Sequence, residues 1–330
     1  MTLPTPGDVH VNTPLSNISV AFMQSLERFV ADKVFPNIPV AKQSDRYYTY
    51  DRGYFNRDEM EVRAPGTETK GGEYSVDNTP TYFSPVYGFH HDVPDQRRSN
   101  ADSVIQVDRE ATELCTMKAM IKREKLWVAK FFANSLWTTN ITGVDSAPGA
   151  GQVLRWNDAA SNPIEDVRTG MDAVQELTGF RPNTLVVSQK VFSKLIDHPD
   201  IIDRIKYGQS GVGRPAVANE QALAAILGVD RVLIAGAIEN TAAEGVANVH
   251  AFIAGKHALL VYSAPSPGLM TPTGGYTFSW TGYLGASANG SRIKKFRLEQ
   301  LASDRVEIEM AFDQKLVSAD LGYFFNTIIA

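Results

Sequence analysis

Cysteine is almost missing from this 330-residue chain, where Cys115 stands alone. An intramolecular disulfide is impossible, so stability must come from packing or assembly. Long hydrophobic runs are missing too: no stretch of about 18 apolar residues occurs, and no membrane-spanning helix is expected. The opening MTLPTPGDVHVNTPLSNISVAF has no basic segment followed by an apolar one. It does not read as a secretory signal, and an intracellular setting is expected. The N-x-S/T triplets at Asn17, Asn140 and Asn289 are then chance. Basic excess is also absent. Against 37 Asp and Glu stand 32 Lys and Arg, a formal net charge of −5, which argues against sequence-specific nucleic-acid binding. Catalytic signatures are lacking as well: there is no H-E-x-x-H, C-x-x-C, G-x-S-x-G or Walker A loop. GVGRPA at residues 211–216 lacks the third glycine and the preceding strand of a dinucleotide site.

What is present falls into distinct blocks. Pro4, Pro6 and Pro14 mark an extended N-terminal arm. Val20, Met23, Leu26, Phe29 and Val30 fit a short amphipathic helix up to Lys33, which VFPNIPV breaks. From Arg46 to Val93 aromatic residues favour strand, around the Gly-, Pro- and charge-rich RAPGTETKGGEYS. That pattern predicts a long hairpin with its tip near Gly71-Gly72, too poor in aliphatic residues for its own core. It must rest on a body domain or on a neighbouring chain. No Gly or Pro occurs from Ala101 to Thr142, and a helix is expected over residues 103–136. On it Leu114, Met117, Met120, Ile121, Trp127, Val128, Phe131, Phe132 and Leu136 share one half of the circumference, interrupted by Glu124.

The C-terminal half is punctuated more sharply. Asn162, Pro163 and Glu165 read as N-cap, first turn and capping box of a helix stopped by Gly179. The strand TLVVS follows. Ser188 then caps VFSKLI, Pro199 opens IIDRIKYG, and Asn219 caps ALAAIL, which Gly228 stops. RVLIAGAI reads as a strand, VHAFIAG and HALLVYS as a hairpin about Gly255-Lys256, and residues 265–293 as loop. KKFRLEQLAS and DRVEIEMAFDQKLVS alternate as two antiparallel strands, and LGYFFNTII as a last strand.

Chemistry-bearing residues have plain structural explanations. Cys115, inside a helical pattern, reads as a small core residue. His90 and His91 are neighbours in a strand and point to opposite faces, so they would not chelate one metal. His198 precedes Pro199 at a helix start, and Asp200 and Arg204 complement the dipole of that helix. Lys118, Lys122, Arg123, Lys125 and Lys130 read as a solvated helix face or as ion pairs with a neighbouring chain. No catalytic, cofactor-binding or metal-binding residue is assigned.

The order of these blocks, with VFPNIPVAKQSDRYYTYDRGYF, GTETKGGEYSVDNTPTYFSPVYGFHHDV and TGFRPNTLVVSQKVFSKLIDHPDIIDRIKYG, resembles the tailed-bacteriophage major capsid proteins of the Hong Kong 97-like fold. The resemblance implies an α+β fold. Its parts would be an N-terminal arm (1–40), an extended hairpin loop (41–98), a peripheral domain with a spine helix (99–210 plus 303–330) and an axial domain (211–302). It implies a structural protein, not an enzyme, that assembles with itself into hexamers and pentamers of an icosahedral shell. The implied partners are a separate scaffolding protein, a portal at one vertex, a cement protein, and packaged double-stranded DNA contacted non-specifically, with no membrane. The implied location is the virion, with assembly in the host cytoplasm. Nothing marks Lys70 or Asn289 as partners of the lysine–asparagine cross-link known in some members. Two alternatives stand beside this reading: an encapsulin-type compartment shell, and an α/β enzyme using His198.

Overall fold

The computed structural model describes residues 24–101, 105–208, 219–268, 270–284 and 290–330. The arm prolines, Val20, Met23, His10, Asn17, Ser103, Asn289 and residues 211–216 lie outside them.

Two sheets and one long helix organise the chain. The six-stranded sheet runs β10 (Arg231–Ala235), β9 (Thr184–Ser188), β13 (Ala258–Val261), β17 (Gly322–Asn326), β7 (Thr139–Val144), β8 (Gln152–Leu154). Its strands alternate between two cores. Leu185, Val187, Leu260 and Phe325 face α2 (Pro163–Thr178), α3 (Gln189–Ile196) and α5 (Glu220–Leu227); Val186, Leu259, Val261 and Phe324 face α1 (Val107–Phe131). With both faces covered, TLVVS and ALLV are unbroken apolar runs. The second sheet runs β1 (Asn37–Val40), β14 (Gly275–Trp280), β16 (Ser303–Leu316), β15 (Ser291–Leu298), with β6 (Val86–Pro94) also on β16. Pro39 sits in β1, an edge strand, where a missing donor is tolerated. The N-terminal half of α1 covers this sheet through Val107, Ala111, Cys115 and Ala119. At about 1.5 Å per residue, α1 is about 37 Å long and lies against both sheets.

Helix punctuation in the C-terminal half follows the sequence. Ser188 accepts from Val191 N–H and Asn219 from Ala222 N–H, while Gly179 and Gly228 stop their helices at φ +80° and +76°. α4 (Pro199–Gly208) begins at its proline. Asn162 precedes α2 but makes no backbone cap; its side chain donates to Glu165 instead.

Several expectations are corrected. Among the described residues the expected N-terminal helix shows only a 3-10 turn, Leu26–Arg28; beyond it Val30, Ala31, Val34 and Phe35 are buried as an irregular strap, because tertiary burial outweighs weak local helicity. The long helix stops at Phe131, where the indole N–H of Trp137 donates to the Phe131 carbonyl at 2.9 Å and Ser135 turns to φ +66°. Leu114 is 39% exposed, whereas Arg123 is buried. The aromatic block is not one hairpin. β2 (Ser44–Arg46) pairs with β5 (Thr81–Phe83) and β3 (Thr49–Tyr50) with β4 (Val76–Asp77), but β6 leaves to pair with β16. The turn is at Pro65–Thr67, with Gly66 at φ +83°, not at Gly71-Gly72.

RVLIAGAI is broken after Ala235. Its second part, β11 (Ile238–Asn240), pairs with β12 (His250–Phe252), and β13 pairs with β9 and β17 rather than β12. Residues 265–293, expected as loop, contain the buried strand β14. The C-terminal reversal lies at Glu299–Leu301, with Ala302 at φ +42°. Finally, β9 and β10 pair directly across the expected 210/211 boundary, so that boundary cuts through one sheet. Strand pairing is non-local, and α3, α4 and α5 carry the chain over to a parallel neighbour.

Candidate assembly surface and the His198 site

The hairpin is fixed at its base and bare at its end. At the base Tyr82 stacks on Phe278 (4.6 Å, 10° between planes), Tyr47 lies 5.4 Å from the same ring, and Phe83 N–H donates to Asp313 at 3.1 Å. Arg52, in the helical turn Arg52–Phe55, pairs with Asp320 at 2.5 Å. Outside this anchor, Tyr50, Phe55 and Tyr74 form a small ring cluster with centroids 5.7–6.3 Å apart. Every residue from 60 to 79 is exposed. Met60 is 93% and Tyr74 59% exposed, Val62 is fully exposed, and Tyr48 and Phe83 on the flanks are more than half exposed. Only local ion pairs, Lys70 with Glu61 and Arg57 with Glu59, mark this arm. Such exposed pairs contribute little. An arm that leaves Met60, Val62 and Tyr74 exposed between its charges is a candidate interaction surface.

The sheet below is laced by charge. Arg305 reaches the carboxylate of its cross-strand partner Asp92 with two bonds of 2.7 and 2.9 Å, tying β6 to β16. That contact holds the Asp92 carboxyl below its usual range. Arg297 grips Asp95 in the same two-point way, and Arg98 joins Asp108 to Asp304. His90 and His91 face Glu307 and Val306 respectively across the ladder, on opposite faces as expected.

Four of the five basic residues singled out on α1 meet partners within the chain. Lys125 pairs with Glu239, Lys130 with Asp313 and Arg123 with Asp32, and Lys122 lies 5.5 Å over the Tyr87 ring. Lys118, Lys122 and Lys125 stay exposed, as expected of a solvated face, and of the five only Arg123 is buried. The signal missed in the sequence was Glu124: the carboxylate inside the apolar arc is buried, and it accepts from Val30 and Ala31 N–H at 3.0 and 2.9 Å.

His198 is buried. Its Nδ1 accepts from Asp200 N–H at 3.3 Å, which puts the ring proton on Nε2. Nε2 then donates toward the Asp158 carbonyl at 3.2 Å, with Ser161 Oγ also at 3.2 Å. The Ser161 hydroxyl donates to that same carbonyl at 2.7 Å. In this tautomer Nε2 has no lone pair with which to deprotonate Ser161, and the Ser–His pair lacks an activated nucleophile. The imidazole staples the start of α4 to the 158–161 turn. His198→Ala is expected to lower stability by about 1–3 kcal/mol through the unsatisfied Asp200 N–H and the space left by a buried imidazole, and to leave the oligomeric state unchanged. Thermal unfolding and light scattering check this. Among the described residues no group of three or more His, Cys, Asp or Glu side chains is placed to hold a metal ion, and no helix is long and apolar enough to cross a membrane.

Comparison with known proteins follows the same lines. Residues 154–271, from β8 through α2–α5 to the loop before β14, match the family model described as phage major capsid protein E. The major capsid protein of Pseudomonas phage JBD67 is 26% identical over 326 residues, covering 97% of each chain. Among solved structures, a phage-related protein from Bordetella bronchiseptica RB50 superposes with a TM-score of 0.68 at 20% identity, over 92% of this chain and 94% of that one. The capsid of cyanophage P-SCSP1u gives 0.59 at 11% identity, over 98% and 95%. The encapsulin of Synechococcus elongatus PCC 7942 gives 0.56 at 9% identity, over 99% and 96%. The fold is thus common to phage heads and an encapsulin, while the sequence-level matches are to phage capsid proteins. Family model, full-length relative and fold together make the chain similar to the phage major capsid proteins, with which it shares the Hong Kong 97-like fold.

Proposed function

We propose that this chain is the shell subunit of a tailed-phage head, and that its hairpin is seated on a neighbouring copy. The observation that carries this is the exposed arm of residues 60–79, anchored only at the hairpin base, which leaves Met60, Val62 and Tyr74 unburied in its own chain. A hairpin reaching from each copy onto a different patch of the next makes a heterologous contact, and such contacts close into rings. Interfaces of this obligate kind bury roughly 2,000–5,000 Å² per pair. The unit around the six-stranded sheet is read as the axial domain. α1 with the second sheet is read as the peripheral domain, which redraws the sequence-based division along the sheets. Hexamers and pentamers, a separate scaffolding protein, a portal, a cement protein and assembly in the host cytoplasm belong to this reading. With a net charge of −5, the inner wall would hold double-stranded DNA only weakly and without sequence preference.

The encapsulin reading shares the fold but is weaker, since the sequence-level matches are to phage capsid proteins. Particle contents separate the two. Particles purified from phage-producing cells are expected to hold nuclease-protected double-stranded DNA. Particles holding a stoichiometric enzyme and no DNA would reverse the assignment.

A further inference from the structure

We infer that Glu124 is a protonation-controlled latch, closing the strap of residues 28–34 onto the long helix when neutral and loosening it when ionised. The inference concerns a single chain and stands whether or not the shell reading does.

The geometry is unusual for a carboxylate. Glu124 is 1% exposed and lies in the middle of α1, among the apolar residues that bury the strap. Both of its backbone donors, Val30 and Ala31 N–H, converge on Oε2. Among the described residues Oε1 has no hydrogen-bond partner. A buried charge with one bare oxygen is costly. A proton on Oε1 removes the charge and leaves both bonds to Oε2 intact.

The charged groups around it do not replace that proton. From the strap come Asp32, which disfavours the carboxylate, and Lys33, which favours it. On α1 the adjacent Arg123 is turned to Asp32 at 2.7 Å and lies over the Phe312 ring. From β11, Glu239 is occupied by Lys125. From β16, Asp313 is occupied by Lys130. Burial dominates and pushes the Glu124 carboxyl up from its ordinary value of 4.5 to about 7.

The sign follows from linkage. The closed strap binds the proton more tightly than an opened, solvated one, so closure is strongest below about pH 4.5 and weakens as pH rises to about 7. Acid therefore tightens this latch. Other bonds hold the strap's ends at every pH: Gln24 to the backbone of Ile238, and the Val34 carbonyl to Arg231 and Ser263. Opening is confined to the segment between them.

Hydrogen exchange on the purified full-length chain tests this, with protection factors corrected for intrinsic exchange at pH 5.5 and 8. From a carboxyl at about 7 when closed and 4.5 when open, peptides covering residues 28–34 should lose roughly 30-fold in protection at the higher pH. Peptides from β13 in the same digest should change less than threefold. Glu124→Gln should abolish the difference. Equal wild-type protection at both pH values would overturn the inference, as would a pH effect that persists in Glu124→Gln. The wild-type comparison decides the matter even if the variant does not fold.

Discussion

Replacing residues 56–75 by a short Gly-Ser turn is expected to abolish shell assembly while leaving a folded subunit. None of these residues is buried in the chain's own structure, and the base of the hairpin, with Tyr47 and Tyr82 on Phe278, is retained. The shortened connection changes loop-closure entropy by well under about 1 kcal/mol, so the thermal midpoint should move only a few degrees. The effect on assembly is far larger. Burying a Val, Met or aromatic side chain is worth about 1.5–3 kcal/mol. Met60, Val62 and Tyr74 alone therefore represent several kcal/mol per contact, repeated at each copy around a closed shell. Association costs consume part of that gain, but removing it at every contact leaves no closed particle. The pair of measurements is sedimentation velocity for assembly and circular dichroism for folding. Shells that form normally from the shortened chain would remove the hairpin from the assembly account.

The second large effect lies in the core. Trp156→Ala is expected to destabilise the subunit by about 3–5 kcal/mol. Trp156 is fully buried, its ring lies 5.0 Å from Phe325, and its indole N–H donates to Asp166 at 2.8 Å. The substitution opens a cavity under the six-stranded sheet and also strips a donor from a half-buried carboxyl that burial already pushes up. At roughly 2–4 °C per kcal/mol, the thermal midpoint should fall by about 10 °C or more. Trp156→Phe should recover much of the packing but not the hydrogen bond. A shift below about 2 °C for Trp156→Ala would mean that this sheet is not the stabilising core.

How legible this architecture is from sequence depends on how local its signals are. Ser188, Pro199, Asn219, Gly179 and Gly228 act within one helical turn of themselves, and each sits where its chemistry says it should. The stretch TLVVS is readable because a strand buried on both faces needs no alternation. Strand β14 is the opposite case. GYTFSW carries Gly, Thr and Ser, yet it is buried between β1 and β16. A Cβ on Gly275 would meet the Lys315 carbonyl at 2.9 Å and the rings of Phe131 and Phe35 at 3.2 Å, so the small residue is dictated by neighbours far away in sequence. The pairing of β13 with β9 and β17 was hidden for the same reason: partners are chosen by the whole sheet, not by the nearest Gly-Lys turn. At the assembly surface the aromatic hairpin was legible as a segment without its own core. The Glu124 latch was not, because an isolated acid in an apolar arc says nothing about the Val30 and Ala31 amides that it meets.

The central claim is that the chain closes into a shell of copies of itself. Negative-stain electron microscopy of the expressed protein, alone and with a co-expressed scaffolding protein, tests it most directly. Closed, uniform shells with hexameric and pentameric capsomers are expected in at least one of the two preparations. Small discrete oligomers in both would contradict the account.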